Sequence, residues 1–285
     1  MNENAQDWFT ERVGDYFSIG YRVEQHLHHS QSPYQTIDVY QTARHGKLLA
    51  LDGYIMLTER DEFFYHEMLV HVPLLSHREP KRVLVVGGGD GGTVREILLH
   101  DAVEKVDMVE IDEEVVKVSR RFFPGLSNKL DDPKVNLVFQ DAVEFVKGIE
   151  AEYDVVLVDS TDPIGPGEVL FTKDFYGDIL NALKPKGILA VQSESPFSLE
   201  NELNMIYRRL DSVFPYAAIY WAPVPCYPPG MWSFTFCSKD GQKAEIRRPE
   251  AAETIEAGSK YYTRDIHQAA FVLPNFMKSL SSKRG

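Results

Sequence analysis

From Lys81 to Phe214 the chain alternates almost wholly apolar runs with segments of helical periodicity, five times over. KRVLVVGGGDGG leads into TVREILLH, KVDMVEID into EEVVKVSRRFF, VNLVFQD into AVEFVKGI, YDVVLVDS by way of a loop into FYGDILNALK, and GILAVQS into ENELNMIYRRLDSVF. Strands that read as unbroken apolar runs are covered on both faces, and parallel neighbours need a crossover of a dozen or more residues, usually a helix. The alternation therefore predicts an α/β chain with a parallel sheet wound on both sides. AAIYWAPV and MWSFTFCS, separated by PCYPPG, add antiparallel strands at its end.

Upstream, residues 1–60 have a different texture. YRVEQHLHHS, QTIDVYQT, KLLALD and YIMLT alternate apolar and polar positions, with turn signals at Ser32-Pro33, His45-Gly46 and Asp52-Gly53. LALDGYIML has the Asp-Gly pair of a tight hairpin. EFFYHEMLVHVPLLS then suits an amphipathic helix over 62–76, ending near Pro73. The expected organisation is a small β-domain over 1–60 and a catalytic α/β domain over 61–285.

Three features bear on chemistry. Gly87-Gly88-Gly89-Asp90-Gly91-Gly92 sits between a strand and a helix, where glycines let the backbone turn tightly and approach a ligand. Glu110 ends the next strand, 20 positions after Asp90, where a carboxylate can accept from both ribose hydroxyls. Asp141 with Ala142, ending the third strand, can read an adenine edge with a side-chain oxygen and a backbone amide. A glycine turn alone also fits a plain sharp turn; the acidic residue at the right distance favours a nucleoside. Asp90 inside the turn disfavours NAD, because a carboxylate there repels a pyrophosphate and attracts an ammonium or a sulfonium.

Asp159 and Asp162 lie just beyond the fourth strand, at the edge where α/β ligands bind. Two carboxylates so close repel each other, and a bound diamine would offset both charges. One of them could also take a proton from an attacking amine, which is not a nucleophile until it loses that proton. An Asp-Pro turn with a helix cap would give the same segment. Tyr65 and His66 could reach this cleft as hydrogen-bond partners or serve as buried core groups. Tyr227, in PVPCYPPG, could wall a cation or an alkyl chain, or simply pack a turn. HLHH at 26–29 has no further ligand at metal-binding spacing after it and reads as a solvated strand. The chemistry calls for no metal.

The formal charge of −13 disfavours a nucleic-acid partner and suits cationic ligands. No apolar run approaches the ~20 residues of a membrane span. The start, MNENAQDWFTERVGDYF, lacks the pattern of a secretory signal, and the two cysteines, Cys226 and Cys237, have no zinc or redox spacing. A cytoplasmic setting is the expectation.

LDGYIMLTERDEFFYHEM, VVGGGDGGTVREI, VEID, LVDSTDPIGPGEVLFTKDFY and YYTRDIHQAAFVLP resemble, in order, the corresponding blocks of spermidine synthases, the polyamine aminopropyltransferases. The resemblance runs from about residue 10 to about residue 280. It implies a small N-terminal β-domain on a Rossmann-like, class I methyltransferase-type fold, and a homodimer or homotetramer. It implies transfer of an aminopropyl group from decarboxylated S-adenosylmethionine, a co-substrate and not a resident cofactor, to a diamine. Carried over by position, Asp159 resembles the catalytic base and Asp90 the carboxylate that holds the aminopropyl amine. Glu110 resembles the ribose ligand, assisted by Gln35, and Asp141 with Ala142 the adenine-reading pair. Pro166 falls where the family packs on the adenosyl group. Tyr65, His66, Asp162, Tyr227 and Gln192, with Asp90 and Asp159, resemble the lining of the polyamine channel. The family often has threonine in place of Cys226 and glycine in place of Ala142. A diamine N-methyltransferase shares the fold and much of this pattern, and a non-catalytic polyamine-binding relative would lack the base. Putrescine is the expected acceptor, with cadaverine and agmatine as alternatives.

Overall fold

The structure, a computed structural model, describes residues 8–163 and 165–279. The chain begins with an antiparallel sheet of β1 (Trp8–Val13), β2 (Phe17–Gln31), β3 (Thr36–Thr42), β4 (Lys47–Leu51) and β5 (Tyr54–Thr58), paired in chain order. Asp52 and Gly53, with φ of 49° and 82°, make the β4–β5 turn, the doubly left-handed backbone that Asp-Gly favours.

Helix α1 (Glu62–Ser76) follows, and here the expectation is corrected twice. The helix does not stop near Pro73 but carries it inside, three residues before its end. It is also not amphipathic, since every residue from Tyr65 to Ser76 is buried. Both corrections have one cause: α1 lies in the main core, with apolar residues of both sheets in the same cluster. That burial outweighs the backbone hydrogen bond lost at proline.

The second sheet is built from β6 (Arg82–Gly87), β7 (Lys105–Glu110), β8 (Val135–Phe139), β9 (Tyr153–Asp159), β10 (Leu183–Gln192), β11 (Tyr216–Pro223) and β12 (Met231–Ser238). Its spatial order is β11-β12-β10-β9-β6-β7-β8. The strands β10, β9, β6, β7 and β8 run parallel, while β12 runs antiparallel to both of its neighbours, so the sheet is mixed. Helices α2 (Gly92–Ile97), α3 (Glu113–Phe122), α4 (Pro124–Ser127), α5 (Ala142–Val146), α6 (Lys173–Ala182) and α7 (Glu200–Val213) fill the crossovers, and α8 (Pro249–Gly258) and α9 (Arg264–Ala269) follow the last strand. Among the described residues no helix is long and apolar enough to cross a membrane.

The first sheet is tied to the second layer by a separate apolar cluster. Ile37, Val39, Leu49, Leu51 and Leu57 pack with Val115, Val118, Phe123 and Leu126 of α3 and the segment after it. This docking sets β5 and the Ser32–Gln35 turn against the carboxyl edge of the parallel strands.

Candidate active site

Gly87, Glu110, Asp159 and Gln192 are the last residues of β6, β7, β9 and β10, and Asp141 follows β8 by two positions. All therefore stand on one edge of the sheet, and the first sheet roofs the cleft above them. Two adjoining cavities share Met56, Tyr65, Ser160, Thr161 and Tyr227 as a common wall. One holds Gln35, His66, Asp90, Glu110, Asp141, Ala142 and Asp159; the other holds Glu11, Asp162, Gln192 and Trp232. The residues singled out in the sequence thus fall into two connected groups. Pro166 is the exception, because its side chain lies outside the described residues.

The glycine turn is shaped by contact. A Cβ on Gly87, at φ +81°, would stand 2.2 Å from the carbonyl oxygen of Asp159. One on Gly92 would fall 2.4–2.6 Å from the His66 imidazole. Only glycine lets β6 lie this close to β9 and α2 this close to α1.

Asp159 is held from two sides. Tyr65 donates its hydroxyl to Oδ1 at 2.8 Å, and Thr93 donates to Oδ2 at 2.6 Å. Burial raises its pKa and so does the nearby Asp90 charge, against the His66 charge and the two hydroxyls, which lower it. The net is an Asp with a raised pKa and both oxygens oriented. His66 faces Asp90 through Nε2 at 3.3 Å and donates Nδ1–H to Glu62 at 2.7 Å. Burial works against its charge, but the two carboxylates prevail and hold it well above the usual imidazole range.

Glu110 is pushed up to about 7 by burial, despite the Asp112 amide that donates to it at 2.9 Å. A folded pKa above the unfolded one makes stability greatest at low pH and lost as pH rises from about 4.5 to about 7. Glu110→Gln should therefore raise the melting temperature of the ligand-free protein at pH 8, leave it nearly unchanged at pH 4.5, and weaken nucleoside binding. Thermal melts at the two pH values check this; an equal shift at both would remove the titration as the cause. Gln35 donates to Asp112 at 2.9 Å, and one oxygen of Asp141 caps α5 through the Val143 amide at 2.8 Å.

In the second cavity Asp162 lies beside Glu194, and burial raises the pKa of both carboxyls. Gln192 donates to Glu194 at 3.1 Å, and Glu194 keeps its other oxygen buried with no partner in the protein. Its backbone is left-handed, φ 69°, a strained state for a non-glycine residue. Tyr227 donates to the Met56 carbonyl at 2.6 Å and meets the Tyr65 ring at 5.7 Å, closing the wall between the cavities.

Residues 62–248 match the family model described as the spermine/spermidine synthase domain, and residues 7–59 the one described as the spermidine synthase tetramerisation domain. A polyamine aminopropyltransferase of Clostridium perfringens (strain 13 / Type A) is 45% identical over 277 residues, 96% of this chain and 97% of that protein. The chain belongs to the polyamine aminopropyltransferase family. A polyamine aminopropyltransferase of Bacillus subtilis (strain 168) is 43% identical over 273 residues, 96% of this chain and 98% of that one. Among solved structures, a spermidine synthase in complex with the transition-state analogue AdoDATO superposes with a TM-score of 0.93 at 39% identity, covering 97% of this chain and 95% of the other. Spermidine synthase from Thermotoga maritima gives 0.90 at 38%, covering 97% and 94%. The mixed α/β fold is that of spermidine synthases, and the chain is an aminopropyltransferase enzyme.

Several groups of this aminopropyltransferase's cleft were not picked out from sequence. Thr93 reads as an ordinary first-turn residue of α2, and Glu11 lies in a segment assigned no strand. Glu62 stands at i−4 from His66, a spacing that was available as a signal.

Proposed function

We propose that the enzyme transfers the aminopropyl group of decarboxylated S-adenosylmethionine to putrescine, giving spermidine and methylthioadenosine. The observation that carries this is the Asp159 carboxylate, half-buried beside Asp90 and fixed between Tyr65 and Thr93. A raised pKa and fixed lone pairs suit a base that must relieve an ammonium of its proton. The freed nitrogen attacks the aminopropyl carbon bonded to the sulfonium. The new C–N bond forms as the C–S pair returns to sulfur, and the proton goes to Asp159. Alignment of nitrogen, carbon and sulfur supplies much of the acceleration, and the acidic cleft stabilises the cations.

Glu110 and Gln35 hold the ribose in this reading, Asp141 and Ala142 the adenine, Pro166 the adenosyl face and Asp90 the donor amine. Tyr65, His66, Asp162, Tyr227 and Gln192 line the acceptor channel, its far end marked by the Asp162–Glu194 pair. The sheet order, with one antiparallel strand inserted next to the edge, supports a class I methyltransferase-type Rossmann-like core over 61–285 and a β-domain over 1–60. The tetramerisation-domain match over 7–59 supports a homo-oligomer, dimer or tetramer, and a cytoplasmic location goes with this metabolic role.

Incubation with decarboxylated S-adenosylmethionine and a panel of putrescine, cadaverine, agmatine and triamines tests the reading. Equal release of methylthioadenosine and spermidine with putrescine is expected; preference for another amine would move the acceptor assignment. S-adenosylhomocysteine formed from intact S-adenosylmethionine would instead mark an N-methyltransferase. Asp90 should govern that choice, since it would clash with the carboxylate that only the intact donor carries. Asp90→Asn is expected to narrow the discrimination between the two donors by roughly tenfold or more, about 1.4 kcal/mol. Competition between the donors measures it; an unchanged ratio would remove Asp90 from donor selection.

A further inference from the structure

We propose that the outer face of the first sheet carries a binding site for a zinc-class divalent cation, formed by His26, His29 and Asp38. His26 Nε2 lies 2.7 Å and His29 Nδ1 2.8 Å from the same Asp38 Oδ1. One donor atom from each residue falls within 4.8 Å of the others. Strand geometry alone would not put residues 26 and 29 on one face, because side chains alternate. A bulge does so: β2 pairs His26 with Tyr40 and His29 with Asp38, with a register shift between His26 and His28. The extra residue restores phase, so both imidazoles meet the face that bears Asp38 and Tyr40. The third ligand, which no spacing after HLHH supplies, comes from the neighbouring strand.

The surroundings hold these groups in place. Tyr40 lies beside Asp38 and stacks on the His26 ring, with centroids 4.4 Å apart and planes 15° from parallel. Metal-ligating groups are commonly oriented by such neighbours. Asp38 is largely covered, at 13% exposure, while the histidines at 45% and 60% leave room for entry and for a water as fourth ligand. Tetrahedral zinc with bonds of about 2.0–2.2 Å needs donors roughly 3.3–3.6 Å apart. The cluster reaches that by opening less than about 1 Å once the metal replaces the bridging protons. Two imidazoles and one carboxylate select Zn²⁺, Ni²⁺ or Cu²⁺ over Mg²⁺. None of the three residues lines the catalytic cleft.

Titration calorimetry of the tag-free, chelator-treated protein with ZnCl₂ tests this, with MgCl₂ as control. About one equivalent of zinc per chain is expected. His29→Gln and Asp38→Asn should each lower the affinity at least roughly tenfold, within the range seen when ligand shells are disturbed. Circular dichroism and aminopropyl transfer should stay at wild-type values in both variants, separating loss of the site from loss of the fold. An X-ray absorption spectrum of the zinc-loaded protein should show two imidazoles in the first shell. No stoichiometric zinc in the wild type, or wild-type affinity in both variants, would overturn the proposal.

Discussion

Asp159→Asn is expected to lower turnover by about two to four orders of magnitude, the usual worth of a positioned general base. The change is nearly isosteric, and the amide can keep one of the two hydroxyl partners, Tyr65 or Thr93. What it cannot do is take a proton from the amine. It also removes a charge that burial and Asp90 both disfavour, so the variant should be at least as stable as the wild type. Activity and stability should therefore move in opposite directions, an outcome general damage to the fold would not produce. Tyr65→Phe and Thr93→Val each remove one hydroxyl and leave the base, so each should cost roughly tenfold. Initial rates with saturating donor and amine, alongside thermal melts, check all three. An Asp159→Asn enzyme within about tenfold of wild type would assign proton removal to another group.

The contrast between Asp159 and Thr93 shows where the sequence was legible. Asp159, Glu110 and Asp141 stand at or just past the ends of apolar strands, and strand ends can be read from residue pattern alone. Thr93 has no such mark. Its role arises because the glycine turn brings the start of α2 under the end of β9, 66 residues later. The same holds for Gln35, whose partner Asp112 is 77 residues away and faces it only because the first sheet docks on α3. Local periodicity carries no information on which distant ends will meet. It also misjudged α1, since a helix between two apolar layers has no polar face to display. The bulge in β2 escaped for a related reason: a strand's register belongs to the pair of strands.

Glu62 leads to the largest stability prediction. It lies at the start of α1, buried, and accepts from His66 at 2.7 Å and from Arg95 at 2.8 and 3.1 Å. Burial alone would raise its pKa, but the His66 and Arg95 charges and hydrogen bonds outweigh that and bring it down to about 2. Arg95 in turn reaches Glu96, and Glu96 faces the buried His71 at 3.3 Å, so the charges continue away from the cleft. Glu62→Gln would leave Arg95 and a charged His66 together without their shared anion. Breaking a buried pair from one side costs about 3–5 kcal/mol, and the melting temperature should fall by roughly 5–15 °C. The pH dependence identifies the cause. A folded pKa depressed from 4.5 to about 2 gives stability that is full above pH 4.5 and lost as pH falls toward 2. The variant should lack that part of the acid decline, and the two curves should converge below about pH 3. The consequence reaches the cleft as well, because His66 owes its charge to Asp90 and Glu62 together. With Glu62 neutral, His66 should lose its proton at lower pH and leave Asp90 with a weaker partner. The variant's pH–rate profile should then shift to lower pH on its alkaline side, whereas a purely structural loss would scale activity equally at every pH.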